Sequence, residues 1–183
     1  MTETALLIID IQNDYFPGGK MELEGAVAAG ERAAGVLAAF RAKRLPVIHV
    51  RHLSLRPGAG FFVPGTEGAE IRANLRPAQG ETVVEKNFPN SFRGTDLHEQ
   101  LQRAKVGHLV VAGMMTHMCV DASVRQAFDL GYRISLLADA CASREQSFGG
   151  ETVPAKQVHA AFLAALHGLY AKVAPTDEIL ATI

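Results

Sequence analysis

The run Leu109-Val110-Val111-Ala112 carries no polar residue and leads straight into the turn Gly113-Met114-Met115-Thr116-His117-Met118-Cys119-Val120. From Val120 to Phe128 the pattern is helical. A short apolar run bounded by a turn reads as a buried strand, and a helix directly after it is half of a parallel βα unit. The same arrangement recurs. Leu6-Leu7-Ile8-Ile9 runs into Asp10 and the polar stretch Gln12-Asn13-Asp14, and the β-branched strand from Thr82 to Glu85 ends in Lys86. Between them lie an Ala-rich helix from Gly25 to Arg44 and a strand Val47–Arg51 opened by Pro46. Thr95 is the expected N-cap of a helix through Lys105, and Gly131 stops the helix after Cys119. A strand Ile134–Ala138 reaches Asp139-Ala140-Cys141, and Pro154 opens a helix extending to Tyr170. A short strand at Val173 and a turn capped by Thr176 close the chain. This alternation predicts a three-layer α/β/α fold, Rossmann-like, with a mostly parallel sheet of about six strands. With no repeat or linker, residues 1–183 read as one domain.

Asp10, Lys86 and Cys119 each stand at or just beyond the C-terminal end of an expected strand. In an open parallel sheet those ends form the ligand crevice, so an acid, an amine and a thiol far apart in sequence are brought within reach of one another. At the start of a helix, unpaired N–H groups and the positive end of the dipole favour a Cys119 thiolate. Each residue also has a plainer reading: a turn-capping Asp10, a Lys86 that snorkels to water, and a Cys119 that only fills space.

Asp10-x-Gln12-Asn13-Asp14, Lys86 followed by Ser91-Phe92, and Gly113-x-x-Thr116-x-x-Cys119-Val120 together resemble the signature of the isochorismatase-like cysteine hydrolases. Gly94-Thr95-Asp96-Leu97 and Asp139-Ala140-Cys141 extend the likeness over most of the chain. The resemblance implies a Cys-Asp-Lys triad that opens an amide or related C–N bond, with Cys119 as nucleophile, Asp10 as general acid and base, and Lys86 as electrostatic partner. It also implies an oxyanion hole from the backbone N–H groups of Met115 and Cys119, a cis peptide between Met114 and Met115, and a homo-oligomer. Pocket candidates are Phe16, Arg51, Phe61, Phe62, Phe92 and His117. The loop from Leu53 to Gly68, rich in Gly and Pro, places Phe61 and Phe62 over a substrate or a subunit interface. Cys141 is expected to pack or to lie near a subunit contact.

Several function classes are disfavoured. A net charge of −1 and the absence of a basic cluster point away from nucleic acid and membrane partners. The apolar N-terminal run stops at Asp10 with no basic region before it, so it does not read as a signal peptide. Two cysteines are too few for a disulfide framework and suit a cytoplasmic setting. Nicotinamidases of this superfamily carry a carboxylate-and-histidine metal site after the second strand, but His49 to Thr66 contains no Asp or Glu. On a regular strand His49 and His52 point to opposite faces. No metal and no cofactor are expected, and the partner is a small-molecule substrate. Two rival readings stand beside the amidase. One is an isochorismatase-type vinyl-ether hydrolase using Asp10 as acid, with Arg51 and Arg56 for an anionic substrate. The other is a non-catalytic binding protein on the same fold.

Overall fold

Strand alternation in β1 (Glu3–Ile9) builds two cores at once. Leu6 and Ile8 face one side of the sheet, while Ala5, Leu7 and Ile9 face the other. The first side is covered by α1 (Ala26–Ala42), whose Ala26, Ala29, Ala33, Val36, Leu37 and Phe40 fall on one helical stripe, and by Ile179 of α5 (Thr176–Leu180). The second side takes Leu97 and Leu101 of α2 (Leu97–Arg103), Val124 and Ala127 of α3 (Asp121–Asp129), and Leu166 of α4 (Ala155–Leu166). Each buried Leu, Ile or Phe contributes roughly 1.5–3 kcal/mol, so both layers are held by burial rather than by helix propensity. The computed structural model describes residues 3–183; Met1 and Thr2 lie outside the described residues.

The remaining strands are β2 (Val47–His52), β3 (Thr82–Lys86), β4 (Val106–Met114), β5 (Arg133–Ala142), β6 (Gln146–Phe148), β7 (Glu151–Val153) and β8 (Lys172–Ala174). The main sheet has the order β3-β2-β1-β4-β5-β8, and every neighbouring pair is parallel. The chain therefore builds outward from β1 in one direction, then returns to build from β4 in the other. The switch point between β1 and β4 is where a ligand crevice is expected in such a sheet.

The three-layer α/β fold is the one expected, but several boundaries differ. Asp96, not Thr95, is the residue before α2; Thr95 Oγ1 donates to the Ser91 carbonyl at 2.7 Å and accepts the Leu97 N–H at 3.4 Å, so it still meets the first N–H of the helix. Pro175 precedes α5, and Thr176 bonds through both its N–H and its hydroxyl to Asp139 Oδ1. The helix after Pro154 stops at Leu166 rather than Tyr170, because His167 is extended and Gly168 takes a left-handed conformation. The antiparallel pair β6–β7 was not anticipated; its strands are three residues each, too short for a clear alternation. Among the described residues, no helix is long and apolar enough to cross a membrane.

A polar cluster ties the end of α1 to the start of β3. Glu81 accepts from Arg41 Nε at 2.7 Å and Nη2 at 2.8 Å, from the Ala78 N–H at 2.8 Å, and meets buried His49 Nε2 at 2.8 Å. The Arg41 bond, against the cost of burial, brings the Glu81 carboxyl down to about 2. A depressed carboxyl stabilises the fold above its unfolded value and loses that contribution as pH falls through the folded one. Glu81→Gln is expected to lose about 1–3 kcal/mol at neutral pH. The gap to wild type should close between the ordinary value of 4.5 and about 2, as read by urea unfolding across a pH series.

Candidate active site

Each reactive residue is delivered by the strand that ends beneath it. β1 closes with the Asp10 N–H donating to the Val50 carbonyl at 3.0 Å, and Asp10 itself turns the chain with φ 52°. Asp tolerates this left-handed conformation better than most residues with a side chain. In the β2–β3 register His52 lies abreast of Lys86, so both side chains leave the same face. β4 ends at Met114, followed by a cis Met114–Met115 peptide and a π-helical turn, Thr116–Val120, that carries Cys119 into α3.

Lys86 Nζ lies 2.6 Å from Asp10 Oδ2, in a close ion pair with both side chains at 0% exposure. The ammonium also contacts His52 Nδ1 at 3.0 Å and the Phe88 carbonyl at 3.1 Å. Donor atoms of Asp10, His52 and Cys119 all fall within 4.8 Å of one another. Burial opposes the Lys86 charge, but Asp10 and Cys119 beside it outweigh this and hold its pKa above the ordinary value. The amine is therefore a buried cation and does not snorkel to water. Carboxylate, imidazole and thiol are a donor set suited to zinc. Here the Lys86 ammonium already contacts two of the three, and a metal ion would have to displace it against like charge, so the residues do not fit a metal as they stand.

The resting state of Cys119 differs from the sequence expectation. Burial, and then the Asp10 carboxylate, push its thiol well above the ordinary range, with Lys86 pulling only partly the other way. The helix start does not deliver a free thiolate, because Cys119 is buried beside an anion. Cys141, also buried, is pushed up to about 12 mainly by burial and sits at the Gly113 backbone. It packs in the core beneath the site.

Phe61 and Phe62 pack against Tyr15, with ring centroids at 6.1 and 4.7 Å. Asp14 holds the loop: its Oδ2 accepts the Phe62 N–H at 2.7 Å, and its Oδ1 accepts the Lys20 N–H at 3.1 Å. Gly68 is forced by the same clamp, since a Cβ there would stand 2.1 Å from Asp14 Oδ1. His117 packs on Phe162 with Nδ1 at 2.5 Å from Ser143 Oγ, and its Nε2 is buried without a partner among the described residues. Burial, then the Arg144 charge, keep His117 neutral-leaning, below its ordinary value.

Three pocket candidates lie elsewhere. Arg51 points opposite to His52 and pairs with Glu70 and Glu85. Phe16 sits beneath the Arg72 guanidinium, with its ring against Gly30 of α1. Phe92 stacks on Tyr132 at 6.3 Å. Sequence reasoning missed Tyr15, His52 and Arg144. The Tyr15 hydroxyl is pushed up by burial and then by the charges of Cys119 and Asp10. His52 was readable: extending the second strand by one residue sets it beside Lys86. Arg144 follows Ser143 beyond β5, and its Nε is buried without a partner among the described residues.

Residues 4–178 match the family described as the Isochorismatase domain. The isochorismatase family protein YddQ of Bacillus subtilis is 50% identical over 97% of this chain and 98% of its own. The maleamate amidohydrolase of Pseudomonas putida is 30% identical over 76% of this chain and 72% of its own. A crystal structure from Oleispira antarctica, described as that of a putative isochorismatase hydrolase, superimposes with a TM-score of 0.95 at 50% identity, covering 98% of this chain and 97% of that one. With the sheet order and the clustered strand ends already in place, these likenesses settle the family: the chain belongs to the isochorismatase family of hydrolases.

Proposed function

We propose that this protein hydrolyses the C–N bond of a small amide, carbamoyl or lactam substrate through a thioester on Cys119. The observation that carries this reading is the buried convergence of Asp10, Lys86 and Cys119, with Lys86 Nζ at 2.6 Å from Asp10 Oδ2. Asp10 takes the thiol proton as the sulfur attacks the substrate carbonyl carbon. That transfer moves a negative charge from oxygen to sulfur beside the same ammonium, so the net charge of the buried site is unchanged. This matters because creating a new charge there carries a large desolvation cost. The tetrahedral oxyanion is met by the backbone N–H groups of Met115 and Cys119. Protonated Asp10 then gives its proton to the leaving nitrogen, the C–N bond breaks, and the amine departs. Asp10 next takes a proton from water, whose oxygen attacks the thioester. The acid is released, and the thiolate recovers its proton from Asp10.

Arg144 and His117 each carry a buried nitrogen without a partner among the described residues. The Arg144 charge acts on both His117 and Tyr15. A substrate with a carboxylate or another strong acceptor beyond the amide suits them. Phe61 and Phe62 supply the apolar wall. A further reading is that copies of the chain assemble as a homo-oligomer, which analytical ultracentrifugation reads directly.

A panel of small amides with and without a carboxylate tests the proposal, with acid-quenched intact mass measured at early times. The expected result is turnover together with an acyl adduct mapped to Cys119. Turnover with the adduct missing from wild type and from deacylation-slowed variants would sink the thioester route. Arg144→Gln should raise KM for acid-bearing amides about tenfold or more, with kcat changed far less. An equal loss on uncharged amides would remove the anchoring role.

A further inference from the structure

An ammonium has three protons, and Lys86 faces four acceptors: Asp10 Oδ2, His52 Nδ1, the Phe88 carbonyl and the Cys119 sulfur. In the resting structure the first three lie at 2.6, 3.0 and 3.1 Å. The sulfur competes for the same three protons, and while the thiol is neutral it is a weaker claimant than the Asp10 carboxylate. Once Asp10 has taken the thiol proton its carboxyl no longer bears the charge that drew the ammonium, while the sulfur has gained one. One N–H can then turn from Asp10 to Cys119, provided the other two stay fixed. The Phe88 carbonyl is one fixed point, and the other is His52.

We propose that His52 is a positioning residue for Lys86, a fixed acceptor about which the ammonium pivots between Asp10 and Cys119. The proposal rests on the Cys119-Asp10-Lys86 reading above. Three observations support it independently. His52 and Lys86 are register partners on adjacent parallel strands, so the contact follows from the sheet itself. The buried Gln12 clamps the His52 backbone from both sides, accepting its N–H at 2.8 Å and donating to its carbonyl at 2.9 Å. The ring is closed off by Phe62, with centroids 5.9 Å apart. Burial and then the Lys86 charge bring the imidazole down to about 4, so near neutrality Nδ1 is an unprotonated acceptor and the ring proton is on Nε2. The charged and titratable groups facing this cluster are Asp10 and Tyr15, Lys86, Cys119, and the more distant Arg56 and Arg144.

Side-chain length allows a test. Asn at this position can place its amide oxygen near the site of Nδ1, whereas Gln reaches toward the site of Nε2. His52→Ala should lower kcat about 10- to 100-fold with KM little changed, a size typical of residues that orient a reactive group. It should also move the pH profile of Cys119 alkylation by iodoacetamide to higher pH, because the thiolate loses its partner. His52→Asn should recover most of both effects and His52→Gln neither. Should His52→Ala fail to fold, the Asn and Gln variants alone decide, with thermal melts checking that each is folded. Recovery by Gln equal to that by Asn, or an alkylation profile in the folded variants matching wild type, overturns the proposal. The alkylation arm needs no substrate. It therefore stands apart from the amidase reading, which fails separately if Cys119→Ala keeps turning over.

Discussion

Asp10→Asn is expected to drive the two activities of Cys119 in opposite directions. The Asp10 carboxylate is, after burial, the largest influence raising the Cys119 thiol. Removing its charge leaves Lys86 as the dominant neighbour, so alkylation of Cys119 should begin at lower pH than in wild type. Amide turnover should fall at least about 10⁴-fold, since no group remains to take the thiol proton or protonate the leaving nitrogen. Lys86→Met should suppress both. Cys119→Ala completes the series with a comparable loss of turnover, whereas retained activity in that variant alone would favour the vinyl-ether chemistry in which Asp10 acts as an acid without a thiol. Iodoacetamide labelling followed by mass spectrometry, run beside the amide assay, reads every arm. Parallel decreases of labelling and turnover in Asp10→Asn would refute the charge relation between Asp10 and Cys119.

Gly113→Ala is expected to damage the site from below. Gly113 is the register partner of Ile9, one residue before Asp10, and precedes the Met114–Met115 peptide. A Cβ at this position would stand 2.4 Å from the Ile9 carbonyl oxygen and 2.7 Å from Ile9 Cβ. Both obstacles belong to a central strand that cannot step aside, so β1 and β4 must separate at the switch point. Overpacking of this kind costs about 1–3 kcal/mol. A displacement approaching 1 Å between Asp10 and Cys119 costs about 10²-fold in rate. The expected result is a folded protein with a lower melting temperature and turnover reduced far more than stability. Wild-type turnover in Gly113→Ala would mean that the strands tolerate the methyl group without moving the site.

The legible part of this fold lay in the strands. Apolar runs that break at Asp10, Lys86 and the Gly113 turn announced buried strands and their ends, because a polar residue at a strand's last position has to go to the crevice or to water. The α1 stripe was equally readable, since it has one face to bury. The loops were not. Whether Phe92 turns to the crevice or to Tyr132, and whether Phe16 lies over α1, depends on packing against elements far away in sequence. Arg51 and His52 show how narrow the margin is: a strand read one residue short favours Arg51 and loses His52, although strict alternation puts them on opposite faces. The state of the thiol was beyond sequence reasoning as well. A helix start argues for a thiolate, but only the burial beside Asp10 shows which influence wins.

Burying both cysteines makes the native chain its own protecting group. Cys119 is 3% and Cys141 5% exposed, and both thiols are held above their ordinary ionisation range. In an opened chain each regains the ionisation of a free thiol, near 8.5, and with it a far higher reactivity. At Cys141, which no substrate has to reach, oxidants and electrophiles will thus report on breathing of the sheet more than on the native ensemble. Modification of both sulfurs marks global opening, whereas modification of Cys119 alone is the reaction of the closed native site.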